Sequence, residues 1–204
     1  NGPLTKLGRY ALSFLNKAPM TFRSMPNKGS TIIEIKKNGI SQAVAPDFFK
    51  KGLPESVRIP HDSVKARILT DVIASPYTSG VVSEREVYLP DQVCRKIGRV
   101  NTDGAGLWYC DENVCVGAEA ANTSIPKAIL VGGAGAYNWY HFIIECLPKA
   151  YLSLKLPAEL RDSPLLIPEE CKSIASFSDA LDVFLGGREV VTLSRGEKIF
   201  VDKL

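Results

Sequence analysis

The stretch KAILVGGAGAYNWYHFIIECLPK, residues 127–149, changes from a strand pattern to a helix pattern across a turn rich in glycine. Residues 128–131 form a short, continuous apolar run of the kind found in buried parallel strands. The glycines follow directly, and helical periodicity begins at residue 137. The stretch therefore predicts a strand, a tight turn and a helix from residue 137 to about residue 155.

The same alternation continues downstream of this stretch. Residues 164–168 (PLLIP) predict a second strand, and residues 173–185 predict a helix that ends at the glycine pair 186–187. Residues 189–193 predict a third strand and residues 198–201 a fourth. Strands that alternate with helices are typical of a parallel sheet with right-handed crossovers. We therefore expect an α/β protein with a Rossmann-like parallel half-domain at its C-terminal end.

The preceding part of the chain has a different pattern. Residues 30–126 are predicted to be mainly β, because β-branched and aromatic runs alternate there with turn residues and prolines; these runs lie at Thr31–Lys36, 80–89 and 106–109. Residues 1–29 predict a short helix, at 7–15, and a connector. The division expected is thus 1–29, 30–126 and 127–204, with the last region truncated at its C-terminus.

Composition excludes several classes of protein. The formal net charge of the 204 residues is +3, with both signs interleaved, so a nucleic-acid partner is not expected. The five cysteines show no metal-like spacing and predict reduced thiols rather than a disulfide framework, although a Cys110–Cys115 disulfide stays open. No apolar run is long enough to span a bilayer. The cysteine pattern thus gives no indication of a metal site.

Four polar residues recur along the predicted helix and share one narrow stripe at about 100° per residue; they are Asn138, His141, Glu145 and Lys149. The opposite apolar arc is expected to pack against the sheet; its members are Trp139, Ile143, Ile144, Leu147, Ala150 and Tyr151. Pro148 lacks an amide proton and predicts a kink that turns Lys149 away.

The pair His141 and Glu145 carries the expected chemistry. Residues four apart on a helix can meet, and a carboxylate beside an imidazole equips either group for proton transfer. Gly133 and Gly135 precede the helix, where free amides favour an anion. The alternative is a surface ion pair worth about 0.3–0.5 kcal/mol, with glycines that only allow close packing.

The motif Asn-x-x-His-x-x-x-Glu-x-Leu-Pro-Lys, residues 138–149, resembles the hallmark of glycosyltransferase family 61. That family's pattern has Asn, two aromatic or small residues, His, an aromatic residue, two apolar residues, an acid, a Leu-Pro pair and a basic residue. Phe142 stands where Trp is commoner, and Lys149 where Arg is commoner. The resemblance covers roughly residues 80–204 and is specific mainly within the motif.

The resemblance implies an inverting transferase with two Rossmann-like domains that face each other across a cleft. Such an enzyme moves a sugar from a nucleotide sugar to a hydroxyl of a glycan or protein acceptor. It needs no metal and no cofactor, because the nucleotide sugar is itself a substrate. His141 and Glu145 would be catalytic, and Asn138, Lys149, Gly133 and Gly135 would bind substrate. On this resemblance we expect the second domain to be missing from the 204 residues and the chain alone to be inactive. Bacterial relatives serve capsule and other surface-polysaccharide biosynthesis in the cytoplasm or at the inner membrane, whereas eukaryotic relatives work in the secretory lumen.

Two other functions stay open. Gly133-Ala134-Gly135 after a strand is similar to part of a dinucleotide-binding turn, with Glu169 and Glu170 after the second strand. However, Asn138 replaces the third glycine, and the acids lie farther along the chain than the usual ~20 residues. An oxidoreductase is therefore the weaker reading. A carbohydrate-binding or scaffold domain without catalysis is the other alternative.

Overall fold

A computed structural model describes residues 17–24, 30–44, 56–84, 86–89, 107–110, 115–118, 121 and 123–204 of the chain. Side chains are described at 30–42, 56, 58–84, 86–88, 121 and 123–204. The helix predicted at 7–15 and the side chains of Cys94, Cys110 and Cys115 lie outside the described residues. The fold is mixed α/β, with both parallel and antiparallel strand pairs.

The strands of the first half of the chain are β1 (Lys17–Ser24), β2 (Thr31–Lys36), β3 (Gly39–Val44), β4 (Ser56–His61), β5 (Val64–Ile68), β6 (Thr70–Ala74), β7 (Val81–Ser83) and β8 (Glu86–Leu89). Those of the second half are β9 (Leu107–Cys110), β10 (Cys115–Ala118), β11 (Thr123–Lys127), β12 (Ile129–Leu130), β13 (Leu165–Pro168), β14 (Val190–Leu193) and β15 (Ile199–Lys203). The predicted strands at 31–36, 164–168 and 189–193 are confirmed, to within one residue at their ends.

The helices all belong to the second half of the chain in the part that the structure describes. They are α1 (Trp139–His141), a π-helical turn (Phe142–Cys146), α2 (Leu147–Ser153), α3 (Ala158–Arg161), α4 (Glu170–Ser173) and α5 (Ala175–Leu185). The predicted stop of α5 is confirmed, because Gly186 has the left-handed backbone of a helix C-cap, with φ of 61°.

The chain forms two compact units, one of residues 31–67 and one of residues 1–30 with 68–204. In the smaller unit, β2 pairs with β5, and β3 pairs antiparallel with β4. The larger unit contains a parallel sheet in the order β12-β13-β14 and an eight-stranded sheet in the order β11-β15-β6-β7-β8-β1-β10-β9. The strand predicted at 198–201 is β15, and it lies in this larger sheet, parallel to β11 and antiparallel to β6.

Alternation along β13 separates two cores. Leu165 and Ile167 face the helices, and Leu166 faces the larger sheet, because successive side chains of a strand point to opposite faces. The helical core contains Val131, Phe142, Cys146, Ala150, Phe177 and Leu181. The core on the other face contains Val72, Ala74, Val81, Leu193, Ile199 and Val201. The small parallel sheet is therefore covered by helices on one face and by a second sheet on the other.

The face of the first helix that packs inward differs from the predicted one. Phe142, Cys146 and Ala150 are buried, at spacings of four residues. Most of the arc predicted to be buried is exposed instead, namely Trp139, Ile143, Ile144 and Tyr151, at 37–47%. The prediction was wrong because the apolar residues of this helix nearly encircle it, and only the sheet beneath selects which of them it covers.

Candidate functional site

A tight turn follows β12 and leads into the first helix. The amides of Val131 and Gly132 both donate to the Leu166 carbonyl, which holds the strand end against β13. The turn then closes through two bonds, from the Ala136 amide to the Gly133 carbonyl and from the Asn138 amide to the Gly135 carbonyl, at 3.0 and 2.7 Å. The predicted strand, turn and helix are thus confirmed, with the helix from residue 139 to residue 153.

Asn138 caps this helix. Its backbone is extended, with φ −96° and ψ 133°, and its side-chain oxygen accepts a hydrogen bond from the Tyr140 amide at 2.9 Å. Capping satisfies an amide that has no partner inside the helix. The oxygen of Asn138 therefore has a structural role, and its contact with a substrate stays a prediction.

His141 and Glu145 form the pair that their spacing predicts. The Nδ1–H of His141 donates to Oε1 of Glu145 at 2.8 Å, and the two side chains are 42% and 38% exposed. The bond to Nδ1 leaves Nε2 without a partner among the described residues. A histidine oriented through one nitrogen and open at the other can accept a proton from a bound hydroxyl.

Glu145 lies on a π-helical turn that begins directly after His141, and in this turn the Leu147 amide donates to the Phe142 carbonyl. Such single turns often occur at functional sites. Pro148 follows and has no backbone N–H, so it cannot make the hydrogen bond that an α-helix would have at this position. The wider π turn lies just before this missing bond. The backbone stays helical through Cys146 and Leu147.

Lys149 does not turn away, contrary to the predicted kink. Its Nζ donates to the Gly132 carbonyl at 2.8 Å, across the mouth of the turn. Burial lowers the pKa of this ammonium group, whereas the negative charge of Glu145 acts in the opposite direction. The helix stays continuous through the π turn, and Lys149 therefore remains on the side of His141 and Glu145.

Two glycines of the turn allow polar side chains to approach its backbone. A Cβ on Gly133 would lie 3.2 Å from Nζ of Lys149, 3.3 Å from Oγ of Ser79 and 3.8 Å from Oε2 of Glu145. A Cβ on Gly135, where φ is 82°, would lie 2.9 Å from Cδ2 of His141. The glycines thus fix where the His141 ring and the Lys149 ammonium group can lie.

Ser79 belongs to a loop that the sequence did not connect with the site. Residues 75–80 join β6 to β7 in the larger sheet, and Pro76 packs so close to Gly132 that a Cβ there would lie 2.2 Å from its carbonyl oxygen. Tyr77 ties the loop to α4, because its hydroxyl donates to Oε2 of Glu170 at 2.6 Å, and burial raises the pKa of the Tyr77 hydroxyl. The run SPYTSG indicates a turn, but nothing local indicates where that turn packs.

The cysteines near the site are chemically protected. Cys146 and Cys171 are free and buried. Burial raises the pKa of the Cys146 thiol to about 11 and that of the Cys171 thiol still further. The thiolate is the reactive form of cysteine. These thiols are therefore not candidate nucleophiles.

The second histidine, His61, belongs to the smaller unit and not to the unit that carries this site, and its Nδ1 lies 3.2 Å from the Asp62 carbonyl. Among the described residues no group of His, Cys, Asp or Glu is arranged to hold a metal ion. Within the same residues, no helix has both the length and the apolar character needed to cross a membrane.

Comparison of the chain with protein-family models, with curated proteins and with solved structures finds no match. The resemblance of residues 138–149 to glycosyltransferase family 61 therefore stays a hypothesis that rests on the motif.

Proposed function

We propose that this protein is a glycosyltransferase, similar to family 61, that moves a sugar from a nucleotide sugar to a hydroxyl of a glycan or protein acceptor with inversion. The observation that carries the proposal is the His141–Glu145 hydrogen bond of 2.8 Å, half exposed, beside the turn at the carboxyl end of β12. Ligands of open α/β sheets bind outside the carboxyl ends of the strands.

The arrangement assigns a role to each member of the pair. Nε2 of His141 accepts the proton of the acceptor hydroxyl as its oxygen attacks the anomeric carbon, and the leaving nucleoside diphosphate departs from the opposite face. Glu145 orients the ring through Nδ1 and stabilises the imidazolium that forms. Gly135 leaves room for the ring. No cofactor is invoked, because the donor is itself a substrate.

The wider setting follows from the resemblance. The βαβαβ arrangement of β12–β14 would be the Rossmann-like core of the first domain of a two-domain enzyme, and most of the donor site would lie in the second domain. Capsule or other surface-polysaccharide synthesis, with peripheral membrane association, fits a bacterial origin. The secretory lumen fits a eukaryotic one.

The geometry favours this proposal over a dinucleotide-dependent oxidoreductase. The two acids that would hold the ribose are used elsewhere: Glu169 accepts from Ser194 Oγ at 2.6 Å, and Glu170 accepts from Tyr77 at 2.6 Å. A pyrophosphate would also have to approach the second glycine of such a turn closely, but here that glycine is Gly135, and the His141 ring lies against it. A scaffold domain without catalysis is the alternative that the first experiment tests.

That experiment is donor hydrolysis and transfer by the full-length natural protein with a panel of nucleotide sugars. We expect Glu145→Gln and His141→Ala each to lower the transfer rate about a hundredfold or more, the size of a general-base contribution. Glu159→Gln and His61→Ala are matched controls, because they change the same chemical groups away from the pair.

The outcomes separate the alternatives. If both Glu145→Gln and His141→Ala still transfer sugar at the natural rate, the protein is a glycosyltransferase but these two residues are not catalytic. If no nucleotide sugar is consumed while oligosaccharides still bind, the protein is a carbohydrate-binding scaffold.

A further inference from the structure

Three polar side chains from two separate parts of the sequence converge over Gly133. Oγ of Ser79, Nζ of Lys149 and Oε2 of Glu145 all lie within 4 Å of the position that a Cβ on Gly133 would take. We call these three residues the Gly133 cluster. Ser79 comes from the loop that joins β6 to β7, whereas Lys149 and Glu145 come from the helix. A side chain at position 133 would force the three groups apart.

The charges of the Gly133 cluster do not suit a bare phosphate. The Lys149 ammonium group already donates one proton to the Gly132 carbonyl, and the Glu145 carboxylate beside it opposes an anion. A phosphate would therefore bring a second negative charge next to Glu145, which is unfavourable at this separation. The site has one cation and one anion, with no surplus positive charge among these three residues.

The hydrogen-bonding groups of the Gly133 cluster instead match hydroxyls. Lys149 retains donors, Glu145 Oε2 is an acceptor, and Ser79 can act as either. Among the described residues, Ser79 Oγ has no hydrogen-bond partner, although the residue is only partly exposed. A hydroxyl both donates and accepts, so two neighbouring hydroxyls of a sugar can satisfy all three groups together.

We propose that the Gly133 cluster binds neighbouring hydroxyls of a neutral sugar, with Ser79 as a substrate-contacting residue, and that this sugar is the acceptor. The inference rests on the proposed function, since Glu145 is then shared between the His141 ring, through Oε1, and the acceptor, through Oε2. The acceptor is held beside Nε2 of His141, and the charged diphosphate of the donor is held elsewhere.

The test follows the ring signals of His141 by NMR in the 204-residue chain, where His61 is the only other histidine and His61→Gln assigns the spectrum. The probes are methyl glycosides of glucose, galactose, mannose, xylose and N-acetylglucosamine, with uridine diphosphate and inorganic phosphate beside them. We expect at least one glycoside to give a saturable shift and the two anions to give none.

Ser79→Ala should weaken that binding roughly threefold to tenfold, the loss of one hydrogen bond. Ser75→Ala is the matched control from the same loop, because its buried hydroxyl has no partner in the described structure and its removal should leave binding unchanged.

Three results would overturn the inference: a shift caused by the anions and not by the glycosides, no shift with any probe, or equal binding by Ser79→Ala. The transfer assay on the full-length natural protein is read separately. If sugar binding depends on Ser79 but no sugar is transferred, the proposed transferase activity is wrong and the proposed sugar-binding site still stands.

Discussion

Gly135 lies directly against the ring of His141, the candidate base, and so limits the orientation of that ring. Its φ of 82° is unfavourable for any residue with a side chain, and a Cβ would also lie 2.9 Å from the His141 ring. We expect Gly135→Ala to lower the free energy of unfolding by about 2–4 kcal/mol, because left-handed strain and overpacking add. Urea denaturation measures this loss, and the His141 ring signals should shift.

Gly187 provides the control for this substitution. Its φ is 79°, but nothing lies within 4 Å of the position that a Cβ would take. Gly187→Ala should therefore cost only the backbone strain, about 1–2 kcal/mol, and leave His141 unchanged. Equal losses in the two variants would mean that the contact with the ring contributes nothing.

At the scale of the element, the π turn places Glu145 against His141. Pro148→Ala restores an amide donor just after this turn and should let the α-helical ladder continue through residues 142–148. We expect stability to be kept or increased, while the transfer rate falls about tenfold to a hundredfold because the pair is displaced. An unchanged His141 spectrum in this variant would show that the π turn does not depend on Pro148.

Arg188 fastens the ends of three helices. It is 9% exposed, and its guanidinium group donates to five oxygens on α2, α3 and α5, namely those of Leu185, Ser153, Arg161, Ala150 and Phe184. A cation at helix C-termini is also favoured by the helix dipoles.

We therefore expect Arg188→Met to lower the free energy of unfolding by about 3 kcal/mol or more, because buried carbonyls lose their donors. Arg188→Lys keeps the charge without the planar fork, so it should recover only part of the loss. Urea midpoints of the two variants give the comparison. A loss below about 1 kcal/mol in Arg188→Met would contradict this role, since it would equal that of a single ordinary hydrogen bond.

At the scale of the whole molecule, the contact of Gly132 with Pro76 joins the two sheets at the site. A Cβ on Gly132 would lie 2.2 Å from the Pro76 carbonyl oxygen, so the backbone itself would have to move. We expect Gly132→Ala to lower the free energy of unfolding by about 3 kcal/mol or more. Gly133→Ala meets only the flexible ends of side chains, at 3.2 and 3.3 Å, and should cost about 1 kcal/mol or less. Thermal unfolding of both variants tests this order.

Local patterns were sufficient for much of the second half of the chain. The strands β12, β13 and β14, the helix stop at Gly186 and the His141–Glu145 pair each depend on residues that are near one another in sequence. Periodicity and capping act over a few residues, so a single sequence can reveal them.

Two other features of the site could not be predicted from local sequence patterns. Ser79 reaches Gly133 only because the loop between β6 and β7 packs on the turn after β12. The buried face of the first helix, with Phe142 and Cys146 inward and Ile144 outward, depends on which side the sheet covers. Neither feature is indicated by the residues of its own segment.

The sequence alone thus determined the alternation of strand and helix, the glycine turn and the His141–Glu145 pair, because each is specified by interactions along a short piece of chain. The tertiary structure alone decided that β15 joins the larger sheet, that Arg188 fastens three helices and that Ser79 completes the Gly133 cluster. Each of these features depends on contacts between residues that are far apart in sequence, such as the bond from Arg188 to Ser153, which spans 35 positions. They form only when the layers pack together, because burial and hydrogen-bond satisfaction are properties of the assembled core.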